Sequence, residues 1–298
     1  MPHAAATATA ATARPFATLA AIILASALAG RIGAFAVLAR ALIPARSTRV
    51  ISAAAILTFT ALLSALVNLD VAVVVAMPVA LQAAHRHGLP AGRLAVAVAM
   101  TANAASFLLP TSNITNLLLL SRVPAPTPAY ISHSWLPWLL VTAITAGSLA
   151  LWAATGATPA APTATAGPSV RAVSDLVPMF LLAAAIRALL GGGLTLHGSF
   201  TSPLTTAALL AAATNNLPAA AAAILPAGTP GLWAAILATT IGPGLLVTGS
   251  VATLITRRIA RDGNARLSAW QFSTIGLALV PAQLAAATLG LHITGVAT

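Results

Sequence analysis

The chain of 298 residues is 59% hydrophobic and 6% charged, with a mean hydropathy of +0.97, so the charged surface a soluble domain needs is missing. Fourteen cations, all arginine, stand against three acids, Asp70, Asp175 and Asp262, and cysteine is absent, which excludes disulfides, thiolate metal sites and cysteine nucleophiles. The net charge of +11 punctuates apolar runs instead of clustering on a polar face; this argues against nucleic acid and makes the arginines topology signals.

A membrane span needs about 20 apolar residues to cross about 30 Å of hydrocarbon. Residues 1–15 form an Ala- and Thr-rich tail with no cleavage site after it, so it is not read as a signal peptide. Apolar sequence then runs from Phe16 to Gly30 and on through Arg31 to Leu42, closing at Pro44. Val50 to Val67 is apolar, and after Asn68-Leu69-Asp70 a second arm runs from Val71 to Leu81. Leu94 to Leu120 is long enough to cross, but Asn103, Ser106, Pro110, Thr111, Ser112, Asn113, Thr115 and Asn116 break its middle. Trp135 to Trp152 reads as an uncomplicated span, with Tyr130, Trp135 and Trp138 suited to an interfacial aromatic belt.

Residues 153–174, rich in Ala, Thr, Pro and Gly without a hydrophobic period, read as a cytoplasmic linker between two membrane units, 16–152 and 175–298. The second unit opens with Leu176 to Leu190. Two arms follow, Leu204 to Ala213 and Ala219 to Leu225, around Thr214-Asn215-Asn216-Leu217-Pro218. Leu232 to Ile255 is again span-length with a polar centre holding Thr239, Thr240, Gly242, Pro243, Gly244, Thr248, Gly249 and Ser250. The last span covers about Trp270 to Leu291.

The units repeat a pattern: two apolar arms meeting at an Asn-containing tip, then a span with a polar, proline-containing middle. Backbone that leaves helical geometry at membrane depth must be buried in protein or line a cavity, so each pair of arms reads as a re-entrant hairpin. Three loops are richest in arginine: Arg46 with Arg49, Arg86 with Arg93, and Arg257, Arg258, Arg261 with Arg266. Placing all three in the cytoplasm gives the halves opposite orientations. The expected fold is an all-α integral membrane protein, an inverted repeat of two halves, each with a re-entrant hairpin and a broken transmembrane helix. That is the plan of a multi-pass secondary transporter with its site at the midplane.

Asp70 is the one carboxylate expected at membrane depth, where an acid costs about 2.5–3.5 kcal/mol on insertion scales. It suits proton or cation coupling, and equally suits capping the following helix. Asn68, Asn215 and Asn216 at the tips, and Ser112, Asn113, Thr248, Gly249 and Ser250 in the breaks, offer neutral donors and backbone N–H groups to a polar solute, or satisfy exposed backbone. His3, His85, His87, His133, His197 and His292 lie at ends or loops without metal-ligand spacing, so neither metal nor cofactor is expected. An intramembrane serine or aspartyl protease is set aside, because Ser250 has no histidine at its depth and Asp70 no second acid. A non-transporting membrane subunit would have no use for the repeated polar breaks.

The run Ile241-Gly-Pro-Gly-Leu-Leu-Val-Thr-Gly-Ser-Val-Ala-Thr-Leu254, the Asn215-Asn216-Leu217-Pro218 tip, and Asn68-Leu-Asp with Pro78 resemble the arsenical pump membrane proteins. These belong to the ion transporter superfamily, with the citrate, dicarboxylate and sodium/proton exchangers. The resemblance implies arsenite or antimonite efflux in exchange for protons across the cell membrane, in some members with a soluble ATPase subunit. On that analogy Asn68, Ser112, Asn113, Asn215, Asn216, Thr248, Gly249 and Ser250, with Asp70 as the coupling group, line the site. Citrate, dicarboxylate or sulfate carriage, or sodium/proton antiport, is the alternative, and a homodimer a further expectation. The chain departs from the resemblance at Asn103 and Thr240, where family members often carry acids.

Overall fold

A computed structural model describes residues 31–156, 200–224 and 228–298, together with 194–195 and scattered positions between 21 and 29. The tail 1–15, most of 16–30, the greater part of the 153–174 linker, the apolar run 176–190, Asp175, Arg187, His3 and His197 lie outside the described residues. The regular secondary structure of the described residues is helical apart from one short parallel pair, β1 (Leu194–Thr195) with β2 (Ala223–Ile224).

In chain order the first helices are α1 (Ala34–Leu42), α2 (Arg49–Leu66), α3 (Leu69–His87) and α4 (Ala91–Ala104). A 3-10 turn at Pro110–Ser112 leads into α5 (Ile114–Leu120) and then α6 (Thr127–Ala154). The later helices are α7 (Thr201–Thr214), α8 (Asn216–Ala222) and α9 (Thr229–Ile241); 3-10 turns at Gly242–Leu245 and Val247–Gly249 precede α10 (Val251–Asp262), and α11 (Ala269–Ile293) closes the chain. Among them α2, α3, α6 and α11 are long and apolar enough to cross a membrane.

Side-chain caps set several starts: Thr48 Oγ1 accepts from Ile51 N at the head of α2, and Ser268 Oγ from Gln271 N at the head of α11. The second arm of the first pair is longer than its sequence suggests. Pro78 does not end it; α3 continues to His87 and stops at Gly88, in the left-handed region at φ 64°. Val79, Ala80, Leu81, Ala83 and Ala84 beyond the proline are buried, and that burial offsets the roughly 3 kcal/mol of an interior proline.

The buried apolar side chains form two principal cores. One gathers α2, α3, most of α4, the C-terminal part of α6, α10 and the N-terminal half of α11. The other gathers the end of α4, Phe107, α5, the N-terminal part of α6, α7, α8, α9 and the C-terminal half of α11. Thus α6 and α11 pack side by side along both cores. The chain from α4 to α5 runs from the first core to the second, and that from α9 to α10 runs back.

Two polar clasps and Gly290 close the α6–α11 seam, and Gly276 brings α11 against the 3-10 turn at Gly242–Leu245. Gln283 Nε2 donates to Thr145 Oγ1 at 2.7 Å, and His133 Nδ1 donates to the Thr294 carbonyl at 2.9 Å while Thr294 Oγ1 donates to the His133 carbonyl. His133 therefore sits inside α6, where the sequence reading expects an end or a loop. A Cβ on Gly290 would lie 2.7 Å from Pro137 N, and one on Gly276 would collide with the Gly244 carbonyl oxygen. Gly276→Ala should lower stability by about 1–3 kcal/mol through overpacking. Gly147→Ala, which meets nothing within 4 Å, should leave stability within about 1 kcal/mol and on the stabilising side. Thermal unfolding in detergent compares the two.

Candidate functional site

Both broken spans interrupt their helices as expected, and by the same backbone path. After α4, Leu109 is extended (φ −111°, ψ 152°), Pro110–Ser112 makes a 3-10 turn, and Asn113 is extended again (φ −147°, ψ 139°) before α5 begins. After α9 and its first 3-10 turn, Leu246 is extended (φ −132°, ψ 144°), Val247–Gly249 makes the turn, and Ser250 is extended (φ −145°, ψ 139°) before α10. Thr111-Ser112-Asn113 thus occupies in one break the place of Thr248-Gly249-Ser250 in the other.

Each break is pinned by an asparagine at the junction of an earlier helix pair, α2–α3 for the first and α7–α8 for the second. Asn68 Oδ1 accepts from Asp70 N at 2.9 Å, capping α3, and its Nδ2 donates to the Thr111 carbonyl at 3.2 Å. Asn215 Oδ1 accepts from Leu217 N at 3.3 Å in α8, and its Nδ2 donates to the Thr248 carbonyl at 3.0 Å. Asn215 holds φ 111°, a region side chains other than glycine seldom occupy. Asn216 opens α8 and is buried, and Asp70 lies half-buried in the first turn of α3.

Inside the first break the amides are linked in series. Asn113 Oδ1 caps α5 by accepting from Thr115 N, and its Nδ2 donates to Ser106 Oγ at 3.1 Å. Ser106 Oγ donates to the Asn103 carbonyl, and Asn103 Nδ2 donates to Thr253 Oγ1 on α10 at 3.1 Å, which ties the first break to the helix leaving the second. Asn116 Nδ2 donates to the Ser106 carbonyl, and Ser112 Oγ to the Leu109 carbonyl. Four buried oxygens nearby have no partner among the described residues: Asn103 Oδ1, Asn116 Oδ1, Thr115 Oγ1 and Ser250 Oγ.

Carbonyls freed by the first break are met by α6. Tyr130 OH donates to Phe107 O at 3.1 Å, Ser134 Oγ to Leu108 O at 2.8 Å, and Trp138 Nε1 to Ala105 O at 3.0 Å. Tyr130 is therefore buried against Trp233, with ring centroids 4.8 Å apart, not in the interfacial belt expected from sequence; Trp135 is 49% exposed. Among the described residues no such stripe faces the second break, where backbone approaches closely: Gly249 packs where a Cβ would lie 2.8 Å from the Pro243 carbonyl oxygen.

The structure therefore groups Asn68, Asp70, Ser112 and Asn113 around one break and Asn215, Asn216, Thr248, Gly249 and Ser250 around the other, with Asn103–Thr253 between them. Asn103, Ser106, Thr115 and Asn116 were legible only as polar breaks in an apolar run; their joint role was not. Their i, i+3 and i, i+10 spacings around Pro110 are the signal that could have found them. Asn215→Gly should relieve the positive φ yet lose the tether to Thr248, and Asn215→Ala should lose both, costing about 1–2 kcal/mol. Stability measured by chemical unfolding should rank wild type above the glycine variant and the glycine variant above the alanine one.

The family model for citrate transporter (CitMHS) matches residues 3–210, which include the first asparagine-pinned break and reach into α7. A comparison with curated proteins returns no match. With apolar helices of membrane-crossing length and a match over more than half its residues, the chain belongs to the citrate transporter family, a family of membrane transporters and not of enzymes.

Proposed function

We propose that the chain is a secondary active carrier that moves a small organic anion of the citrate class by alternating access, with the two breaks forming one site near the bilayer midplane. The observation that carries this reading is the convergence of helix starts on the breaks. The long helix α3 and α10 begin there, as do α5 and α8, so the positive ends of backbone dipoles meet neutral hydroxyl and amide donors. In this reading Asn68, Ser112, Asn113, Asn215, Asn216, Thr248, Gly249 and Ser250 contribute side chains or backbone N–H groups to the anion.

The opposite directions of the two broken helices between the cores support an inverted repeat, and the asparagine pins support a re-entrant reading of the α2–α3 and α7–α8 pairs. Asp70 sits where α3 meets the first break and is the group we assign to proton or sodium coupling. A carboxylate there loses its charge on protonation, which lowers the cost of crossing the apolar interior as the site changes side.

Arsenite or antimonite efflux by proton exchange is the second reading. It is favoured by the absence of arginine from the residues just assigned, since uncharged hydroxylated solutes need donors and not cations, and by the resemblance over 215–218 and 241–254. The ATPase subunit and the homodimer belong with it as further proposals, as does residence in the cell membrane.

Proteoliposomes loaded at one pH and diluted into another separate the readings. Accumulation of labelled citrate is the expected result; arsenite movement without citrate movement would favour the second reading. Asp70→Asn should abolish gradient-driven accumulation while sparing citrate exchange between equal pools, and accumulation undiminished in that variant would remove Asp70 from coupling.

A further inference from the structure

The arginine-bearing loops, scattered in sequence, meet at one end of the molecule. A Cβ on Gly88, after α3, would lie 3.4 Å from Arg49 Nη2 at the head of α2; one on Gly92, at the head of α4, would lie 2.6 Å from the Arg266 carbonyl oxygen before α11; and one on Gly156, past the end of α6, would lie 2.9 Å from Arg93 Nε. Arg93 is spent internally, bonded to the Trp152 carbonyl at 3.0 Å and stacked over the Trp152 ring at 5.0 Å. Arg258 pairs with Asp262 at 3.3 Å. Arg46, Arg86, Arg257, Arg261 and Arg266 are exposed. Asp262 is the one acid among the described residues of this end.

Large apolar side chains lie exposed in the first turns of the helices that follow Arg46 and Arg266. Trp270 in the first turn of α11 is 78% exposed, and Ile51 in the first turn of α2 is 55% exposed. A free anion has no use for such neighbours, whereas a phospholipid presents a phosphate directly above hydrocarbon.

We propose that this end of the protein binds the phosphate headgroups of anionic phospholipids, through the guanidinium forks of Arg257, Arg261 and Arg266 with Arg86 and Arg46 beside them, while Trp270 and Ile51 meet the upper acyl chains. The planar guanidinium matches a phosphodiester with two parallel N–H donors, which an ammonium does not. Anionic lipid therefore stabilises the folded carrier, independently of which substrate it moves.

The full-length protein, delipidated in neutral detergent, is titrated with phosphatidylglycerol or phosphatidylcholine, reading retained lipid by native mass spectrometry and the thermal midpoint in parallel. Phosphatidylglycerol should be retained preferentially and raise the midpoint, and moderate salt should weaken the effect. Arg257→Gln/Arg261→Gln/Arg266→Gln should weaken the preference on the order of a hundredfold, at about a factor of five per surface arginine. Arg31→Gln, outside these loops, should keep it. Because charge loss can also reorient an inserting chain, the lysine triple Arg257→Lys/Arg261→Lys/Arg266→Lys, which keeps the charge, is measured beside it and should bind phosphatidylglycerol more weakly than wild type. Equal retention of both lipids by the wild-type protein, an unchanged preference in the glutamine triple, or equal protection by inorganic phosphate in detergent would each overturn the proposal. Citrate accumulation in the same proteins tests the transport reading separately.

Discussion

A helix that breaks in apolar surroundings leaves carbonyl and N–H groups that water cannot reach, and each such group left alone costs a few kcal/mol. This chain breaks two helices in that way, and much of the described structure meets the resulting demand. At the first break the partners come from a neighbouring helix: Tyr130, Ser134 and Trp138, one turn apart on α6, reach the carbonyls of Phe107, Leu108 and Ala105. At the second, 3-10 turns and glycines let backbone approach backbone, with Gly249 against Pro243 and Gly276 against Gly244. The same backbone path is thus held by two different means.

The asparagine pins extend this logic to the pairs α2–α3 and α7–α8. Asn68 and Asn215 each spend the amide oxygen on the helix that follows and the amide nitrogen on the 3-10 turn of a break. Their first duty in this structure is to fix backbone, although each amide oxygen retains a second lone pair. Among the described residues the groups around the breaks without a partner are the hydroxyls of Thr115 and Ser250, which can donate, and the amide oxygens of Asn103 and Asn116, which can only accept; in the proposed transport reading an anion meets the two hydroxyls and the backbone N–H groups at the helix starts. Neutral dipoles fixed in place can select an anion without a buried arginine, whose own desolvation would have to be offset.

The breaks were legible in the sequence because proline, glycine and asparagine in a span-length apolar run have no other ready use. Membrane class was legible from charge scarcity alone. The end of the arm at Leu81 fell short of the helix end at His87, because the loss of apolar character after Leu81 says nothing of the burial of Ala83 and Ala84. Tyr130 misled for a related reason: an aromatic with a polar tip suits an interface or a buried carbonyl equally well, and only the placement of Phe107 decides. His133 suits a loop by composition, yet its partner Thr294 lies at the far end of the chain. The division of labour among asparagines could not be read either, because capping and ligand binding use the same atoms.

Transport as proposed requires that both breaks face one solute-accessible site. The chain has no cysteine, so single substitutions at two of the unpartnered positions, Asn116→Cys and Ser250→Cys, report access directly when treated with a small water-soluble thiol reagent in proteoliposomes. Both should react, and saturating citrate should slow both. Inert thiols at both positions, or reaction at one untouched by a substrate that the same protein transports, would contradict a shared site.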